Sequence, residues 1–148
     1  MRARSSRLEK VSPLIVHVDI NSYFATLLQQ ENPALRGKPV GVSKSEGRTC
    51  LIAVSKEAKA RGVPTGWRLK DALQICPELI VVPAQFDFTW DATVRLKRLF
   101  ESLVPNVEIF SLDEAFLHLT DCRRLFPDPW EFGAMVQRKI KQELGEWV

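Results

Sequence analysis

The sequence predicts an α+β fold, and three features of the chain support this. An apolar, β-branched stretch, "LIVHVDI" (14–20), is typical of a buried strand, and a helical pattern follows it. Residues 86–103 have a long amphipathic pattern that precedes two short strand-like stretches and a last helix. A basic segment separates these two parts. The outer elements run β–α and then α–β–β–α, which with one more strand would form a split βαβ sheet with helices on one face, the ferredoxin-like arrangement.

The first predicted strand covers residues 13–20 and has two faces of different character. Val16 and Val18 share one face with other apolar residues, whereas His17 and Asp19 lie on the opposite face. We expect His17 to be a partly buried strand histidine without a chemical role. Asp19 is the acidic residue at the end of the strand.

A helix and the basic insert are predicted next. The helix should begin with Asn21 or Ser22 as a side-chain N-cap, and it should run to about Glu31 before the Asn-Pro pair at 32–33. The insert should then contain a strand pair, a short helix capped by Ser55, a second helix and a strand. The corresponding stretches are "KPVGVS", "CLIAVS", "KEAKARG", "RLKDALQIC" and "LIVVP".

The second half of the body is predicted to contain two helices around a bent strand pair. Residues 86–103 place apolar side chains at mostly three- and four-residue intervals, which indicates a long amphipathic helix. The stretch "VEIFSLDEAFLHL" (107–119) indicates two short strands around a bend. The final helix should have Asp128 as its N-cap and Pro129 at its first position.

Charge is distributed unevenly along the chain. Residues 36–70 contain nine basic and two acidic residues, a net charge of +7, whereas residues 71–148 contain eight basic and thirteen acidic residues, a net charge of −5. A basic lobe inserted into a mildly acidic body is suited to holding an anionic partner, although a merely solvated basic surface would show the same charges.

Several classes of protein are disfavoured by composition. No apolar run reaches the roughly 18 residues of a membrane span, and the basic start lacks the apolar stretch of a secretory signal. The three cysteines, Cys50, Cys76 and Cys122, are widely spaced and form no C-x-x-C, which argues against a disulfide framework or a zinc site. We therefore expect a cytoplasmic or nucleoid-associated protein with no membrane partner.

Two adjacent carboxylates, Asp113 and Glu114, lie between the apolar stretches "VEIF" and "AFLHL". In a regular strand they would point to opposite faces, so they can reach one site only if the backbone bends at or just before them. If the first strand lies beside this hairpin, Asp19 joins them. Three like charges at close range are costly unless neutralised, and a pair of Mg²⁺ ions can do so in phosphoryl transfer. A pair of solvated turn residues is the alternative interpretation.

Three blocks of the sequence together resemble the Y-family translesion DNA polymerases of the DinB/UmuC type. They are "HVDINSYFATLLQQENPALRGKPVGV", "CLIAVSKEAKARGV" and "VEIFSLDEAFLHL", in the family's order and spacing. The resemblance implies a ferredoxin-like palm, here with its last strand missing, and a small fingers domain inserted into it. It also implies DNA-directed transfer of a nucleotide from a dNTP to a primer 3′-OH with two Mg²⁺ ions, for which Mn²⁺ can substitute.

The resemblance also implies roles for individual residues. Asp19, Asp113 and Glu114 match the catalytic, metal-binding carboxylates, and the Ile20 carbonyl would be a further metal ligand. Phe24 matches the steric gate, the ring that lies against the sugar and excludes a 2′-hydroxyl.

The nucleotide-binding positions depart from the family pattern. Tyr23 matches the stretch that cradles the triphosphate through a backbone N–H near a helix N-terminus, although its ring could equally be a core side chain. Where the family reads S-Y-E-A-R, this sequence reads "SKEAK", so Lys56 and Lys59 take the phosphate-binding positions. Lysine keeps the charge but lacks the planar fork of arginine, so we expect weaker orientation of the nucleotide and slower or less faithful incorporation. Asn21 replaces an acid that is not a metal ligand.

The resemblance divides the chain into a flexible basic tail (1–10), a discontinuous palm (11–22 and 84–148) and fingers (23–83). The last palm strand, the thumb and the little finger are not in the sequence, so we expect a catalytic-core fragment that is weakly active or inactive alone. The implied partners are primer–template DNA, dNTP and a sliding clamp contacted through the missing C-terminal regions.

Two other functions remain open at this stage. A polymerase-like accessory protein that binds DNA or proteins without catalysis would fit the two lysines and the missing domains, but not the intact carboxylates. A nucleotide cyclase shares a palm-like fold and two metals, but it gives no reason for the basic insert or for the adjacent Tyr-Phe pair.

Overall fold

The computed structural model describes residues 12–44 and 50–148. The predicted tail at 1–10 and most of the loop that joins the first strand pair of the insert lie outside these ranges. All of the predicted helices and strands within the described ranges are confirmed. In chain order they are β1 (Ile15–Asp19), α1 (Tyr23–Glu31), a 3-10 turn (Pro33–Leu35), β2 (Val40–Ser43), β3 (Leu51–Val54), α2 (Lys56–Ala60), α3 (Leu69–Ile75), β4 (Ile80–Pro83), α4 (Phe86–Leu103), β5 (Val107–Ile109), β6 (Glu114–His118), a second 3-10 turn (Thr120–Cys122) and α5 (Pro129–Leu144).

The first sheet has the strand order β1-β6-β5, and both pairs are antiparallel. The long helices α4 and α5 cover one face of it, with Leu96 and Phe100 of α4 and Val136 of α5 in the same buried cluster as Ala115 and Leu117 of β6. The opposite face carries the alternate residues of β1 and β6. Alternation with a period of two therefore places one set of side chains in the core and leaves the other set accessible.

The second sheet has the order β3-β2-β4, in which β2 pairs antiparallel with β3 and parallel with β4. Ser55 is the predicted cap of α2, and its Oγ accepts a hydrogen bond from the Ala58 N–H at 3.3 Å. The same oxygen accepts from the Val40 N–H at 3.0 Å, so the cap also joins α2 to β2. Gly41 lies where a Cβ would be only 3.0 Å from the Leu51 side chain, which favours glycine at this position.

Helix α1 connects the two sheets because its opposite faces are buried in different clusters. Tyr23 and Leu27 belong to the cluster under the first sheet. Ala25 and Leu28 belong to the cluster formed with β2 and β3. The two lobes are therefore joined through a shared helix, which lies directly after the predicted palm–fingers boundary at residue 23.

The predicted side-chain cap of α1 is wrong. Ser22 occupies the N-cap position, but it adopts a left-handed backbone conformation (φ 58°, ψ 37°) and its side chain caps no helical N–H. Its Oγ donates instead to Asn21 Oδ1 at 3.2 Å. Asn21 does not cap the helix either: it lies one residue before the N-cap position, and its Oδ1 accepts from Lys59 Nζ at 2.9 Å. This tight turn fixes the residues that directly follow Asp19.

Candidate active site

The register between β1 and β6 brings the three predicted carboxylates to one end of the first sheet. Asp19 lies directly opposite Glu114 in the ladder. One residue further on, the Ile20 N–H donates to the Asp113 carbonyl oxygen at 3.1 Å. The expectation that the first strand lies beside the hairpin is therefore confirmed, and it is the pairing of strands about ninety residues apart that assembles the site.

A bend before β6 lets the adjacent carboxylates face the same region. The N–H groups of Phe110 and Ser111 both donate to the Glu114 carbonyl oxygen, at 3.0 and 3.2 Å, which closes the hairpin around Asp113. The Ser111 hydroxyl donates to Asp113 Oδ1 at 2.7 Å and lies 3.3 Å from Glu114 Oε2. Sequence reasoning missed Ser111, although a serine at a bend commonly forms a local turn in which its hydroxyl bonds two residues further along the chain.

The donor types fit a hard cation, but the side chains do not converge on one. The carboxylates of Asp19, Asp113 and Glu114 and the Ile20 carbonyl are all oxygen donors of the kind that Mg²⁺ prefers. Within residues 12–44 and 50–148, however, no group of three or more His, Cys, Asp or Glu side chains is arranged to hold a metal ion. Asp113 and Glu114 turn toward the Ser111 hydroxyl, and Asp19 is exposed. Metal binding at this site therefore stays a prediction.

His17 is exposed, so the prediction that it would be partly buried is wrong. Its ring stacks on Phe116 with centroids 4.7 Å apart and an interplanar angle of 18°. Its Nε2 lies 3.5 Å from Glu114 Oε1. The period-two pattern placed His17 on the face of Asp19, and that face is the open face of the sheet. His17 is thus a neighbour of the carboxylates that sequence reasoning did not identify.

The Tyr23 ring is a core side chain. Tyr23 is 1% exposed, and its hydroxyl lies 3.1 Å from Thr93 Oγ1 of α4. Thr93 Oγ1 in turn donates to the Leu112 carbonyl oxygen at 2.7 Å, in the loop next to Asp113. Burial raises the pKa of Tyr23 to about 12, because the phenolate would lose its hydration. Any role of Tyr23 toward a nucleotide is therefore left to its backbone N–H.

The Phe24 side chain, unlike that of Tyr23, lies on the side of the second sheet, and it is half-buried. Its ring contacts Tyr23 edge-to-face at a centroid distance of 6.3 Å and Phe86 edge-to-face at 5.7 Å. It also packs against the apolar cluster under β2 and β3. The ring is thus held between the two lobes, next to the turn that follows Asp19.

The two predicted phosphate-binding lysines are engaged in different places. Lys59 Nζ donates to Asn21 Oδ1, two residues from Asp19, so this ammonium lies beside the candidate site. Lys56 Nζ lies 4.6 Å from the centroid of the Trp147 ring, in a cation–π contact. The structure therefore places the Lys59 ammonium close to the carboxylate end of β1. It places the Lys56 ammonium against Trp147, in the segment that follows α5.

Trp147 packs against several residues that sequence reasoning did not identify as its partners. Its indole N–H donates to Gln29 Oε1 at 3.0 Å, and the Arg36 guanidinium lies 5.7 Å from its ring centroid. Gln29 is fully buried and also donates to Glu57 Oε2 at 3.0 Å. No periodic pattern indicates such a contact, because it joins the end of α5 to α1 and α2.

An open cleft of about 320 Å³ lies beside the carboxylate end of β1. Asp19 and Asn21 line one side of it, and Gln137 and Lys141 of α5 line another. Ile20, Ile140 and Val148 complete the lining, so the cleft is partly apolar.

Comparisons with known proteins place the chain in a family. The model of the impB/mucB/samB family matches residues 18–146, which is most of the chain. The chain therefore belongs to the impB/mucB/samB family. Its relatives include a DNA polymerase IV from Gluconobacter oxydans, 38% identical over 107 residues, which is 72% of this chain and 30% of that protein. DNA polymerase IV 3 from Mesorhizobium japonicum is 35% identical over 131 residues, which is 88% of this chain and 36% of that protein.

Solved structures support the same relationship. DinB from Sulfolobus solfataricus superposes with a TM-score of 0.74 at 30% identity, over 88% of this chain and 38% of that one. A Dbh ternary complex gives a TM-score of 0.72 at 31% identity, over 88% of this chain and 37% of that one. These similarities confirm the predicted resemblance to the Y-family polymerases and the predicted α+β palm-and-fingers fold. The chain spans about a third of the length of the relatives that it matches. None of the helices in the described residues is long and apolar enough to cross a membrane.

Proposed function

We propose that this chain is the catalytic-core portion of a translesion DNA polymerase, which transfers a nucleotide from a dNTP to a primer 3′-OH under the direction of a DNA template. The observation that supports this most directly is the β1–β6 register, which aligns Asp19 with Glu114 and with the neighbouring Asp113. In this proposal residues 11–22 and 84–148 form the palm, and residues 23–83 form the fingers.

Asp19, Asp113, Glu114 and the Ile20 carbonyl would hold two Mg²⁺ ions, for which Mn²⁺ could substitute. When bound, such ions lower the pKa of an attacking hydroxyl and stabilise the charge on a leaving pyrophosphate. The chain's own contribution is to set the ligands at the paired end of β1 and β6 and in the bend before β6. Ser111 holds Asp113 at 2.7 Å and so restricts the orientation of one carboxylate before any ligand binds.

The other residues would bind and select the nucleotide. Phe24 would lie against the sugar and exclude a 2′-hydroxyl, and the Tyr23 amide would face the triphosphate at the start of α1. Lys59 would reach the phosphates from its position beside Asn21. Lys56 would have to leave the Trp147 ring, which lies 4.6 Å from its ammonium, to do the same. Two lysines orient phosphate less tightly than an arginine fork.

The proposed partners are dNTP and primer–template DNA, and one of the structural neighbours is itself titled a ternary complex. The basic insert, with a net charge of +7 over residues 36–70, suits a phosphate backbone. With so few phosphates neutralised, affinity for DNA should be weak and should fall steeply with salt. We also propose that a sliding clamp is a partner and that the protein is located in the cytoplasm.

The carboxylate assignment is testable by ligand-induced stabilisation of the chain. Mg²⁺ or Mn²⁺ together with a dNTP should raise the melting temperature of the wild type, because a ligand that binds only the folded state stabilises it. Asp113→Asn should remove this shift, and it should abolish primer extension by a version that carries the complete polymerase domains. Glu108→Gln, on exposed β5 of the same sheet, is the matched control and should keep the shift. An Asp113→Asn variant with an undiminished shift and most of its extension activity would refute the metal assignment.

The accessory-protein alternative also has support in the structure. Lys56 is engaged by Trp147, and the three carboxylates do not converge in the described residues. A protein of this kind would bind DNA with a strong salt dependence but would show no stabilisation by metal and dNTP. The same thermal measurement, carried out beside a DNA-binding titration, therefore separates the two functions.

A further inference from the structure

The ring of Phe24 lies between two aromatic side chains of different exposure. Tyr23, at 6.3 Å between centroids, is buried and bonded to Thr93. Phe86, at 5.7 Å, is the closer neighbour, yet its side chain is 48% exposed. Both neighbours present edge-to-face geometry, with interplanar angles of 72° and 77°. Perpendicular rings on two sides restrict how far the Phe24 ring can tilt.

A ladder of hydrogen bonds along the first two turns of α4 connects the start of the helix, where Phe86 lies, with Thr93, whose hydroxyl contacts Tyr23. Thr89 donates to the Gln85 carbonyl oxygen through its N–H at 3.0 Å and through its Oγ1 at 2.9 Å. One turn later, Thr93 Oγ1 lies 3.0 Å from the Thr89 carbonyl oxygen. Thr89 is 2% exposed, so this ladder is sheltered from water. Phe86 and Thr93, the residue that contacts the Tyr23 hydroxyl, are therefore both carried by the first turns of α4.

We propose that Phe86 is a positioning residue for sugar selection, because it forms the outer wall that keeps the Phe24 ring in place. This inference rests on the proposed function, in which Phe24 excludes the 2′-hydroxyl. Steric exclusion works only if the excluding ring cannot move aside. Without Phe86 the Phe24 ring keeps its inner wall, Tyr23, but can swing outward and make room for a ribose.

A matched control is available on the same helix. Trp90 follows Phe86 by one helical turn and is 60% exposed, and the ring pairs found among the described residues do not include it. Replacing Trp90 by alanine thus removes an exposed aromatic ring from α4 without touching Phe24. Phe86→Tyr keeps the ring and should keep its effect, whereas Phe86→Leu keeps apolar volume but removes the ring.

The test compares the affinity of the chain for dATP and for ATP in the presence of Mn²⁺, measured by calorimetric titration. The wild type should prefer dATP, and Phe24→Ala should lose that preference. Phe86→Ala and Phe86→Leu should reduce the dATP/ATP preference by about two- to tenfold, the range that one aromatic pair corresponds to, mainly through tighter ATP binding. Phe86→Tyr and Trp90→Ala should match the wild type.

Each other outcome has a definite meaning. If Phe24→Ala loses discrimination while both Phe86→Ala and Phe86→Leu keep it, the inference is wrong and the proposed function stands. If these Phe86 variants weaken binding of both nucleotides equally, Phe86 is only a structural residue and the inference is again wrong. If the wild type shows no preference, or if Phe24→Ala keeps the preference, the gate itself fails and the inference fails with it.

Discussion

Replacing Trp147 by alanine should destabilise the protein far more than its position after the last helix indicates. The indole N–H donates to Gln29 Oε1, and the ammonium of Lys56 and the guanidinium of Arg36 lie 4.6 and 5.7 Å from the ring centroid. The backbone N–H of Trp147 also donates to Gln30 Oε1, but alanine keeps that bond. The substitution therefore removes one side-chain hydrogen bond, two cation–π contacts and the packing of a large ring.

The expected cost follows from these contacts. Each cation–π contact at a partly exposed site contributes about 0.5–1 kcal/mol. The lost hydrogen bond contributes about 1 kcal/mol, and its loss also leaves an amide oxygen of the fully buried Gln29 without this donor. The free energy of unfolding should therefore fall by about 2–4 kcal/mol. For a chain of 148 residues this corresponds to a melting temperature lower by about 5–12 °C.

Urea unfolding followed by circular dichroism measures this change, with the slope of the transition compared between variants. Trp130→Ala is the matched control, because Trp130 lies in the first turn of α5 but is 87% exposed, and its replacement should cost under about 0.5 kcal/mol. Trp147→Phe should fall in between, since it keeps a ring and loses the N–H. A Trp147→Ala variant as stable as Trp130→Ala would refute the assignment of Trp147 as the joint between α5, α1 and α2.

Three further measurements test other parts of the structure. Tyr23 is the only tyrosine, so an ultraviolet titration of the folded chain should give a pKa of about 12 for its phenol. The stability that depends on the neutral, buried phenol should be complete below pH 10 and should be lost between pH 10 and 12. A titration midpoint near 10, or the same dependence of stability on pH in Tyr23→Phe as in the wild type, would contradict this. Ser55→Ala should lower the free energy of unfolding by about 2 kcal/mol in urea titrations, because it removes a buried helix cap. Ser102 is exposed, so Ser102→Ala should cost under about 0.5 kcal/mol. Equal costs for the two variants would refute the role of the cap. Gly41→Ala should destabilise the protein by about 1–3 kcal/mol, because the new Cβ would lie 3.0 Å from the Leu51 side chain and 3.2 Å from that of Leu79. Gly133→Ala in α5 has open space around the new Cβ and should stabilise the protein by about 0.5–1 kcal/mol. If thermal unfolding shows a change in stability of the same sign for both variants, this reasoning is wrong.

The helices and strands were predictable because their signals are local. The β-branched run before Asp19, the 3.6-residue spacing over residues 86–103 and the Asp128-Pro129 start of α5 each act within one element. The cap of α1 failed for the opposite reason. Asn21 has the right residue type for a cap, but Ser22 holds the N-cap position and the Asn21 side chain accepts from Lys59, 38 residues away, a contact that a propensity does not include.

The candidate site was predictable only in part. The pattern placed Asp19 on the face opposite to Val16 and Val18, and the adjacent Asp113 and Glu114 marked the bend. Ser111 and His17 were missed as neighbours of these carboxylates, because their importance depends on distances of 2.7 and 3.5 Å that only the folded backbone sets. Phe86 was expected to be a periodic residue of the helix, and nothing local connects it to Phe24.

By itself, the sequence determined the order of the elements, the face of β1 on which Asp19 lies and the resemblance to the Y-family polymerases, since these depend on residue type and spacing. Only the tertiary structure decided how the elements meet. The β1–β6 register aligned Asp19 with Glu114, Lys56 and Lys59 were drawn to different partners, and Trp147 joined three helices. Such contacts arise between residues far apart in the chain, where geometry rather than local propensity chooses the partner.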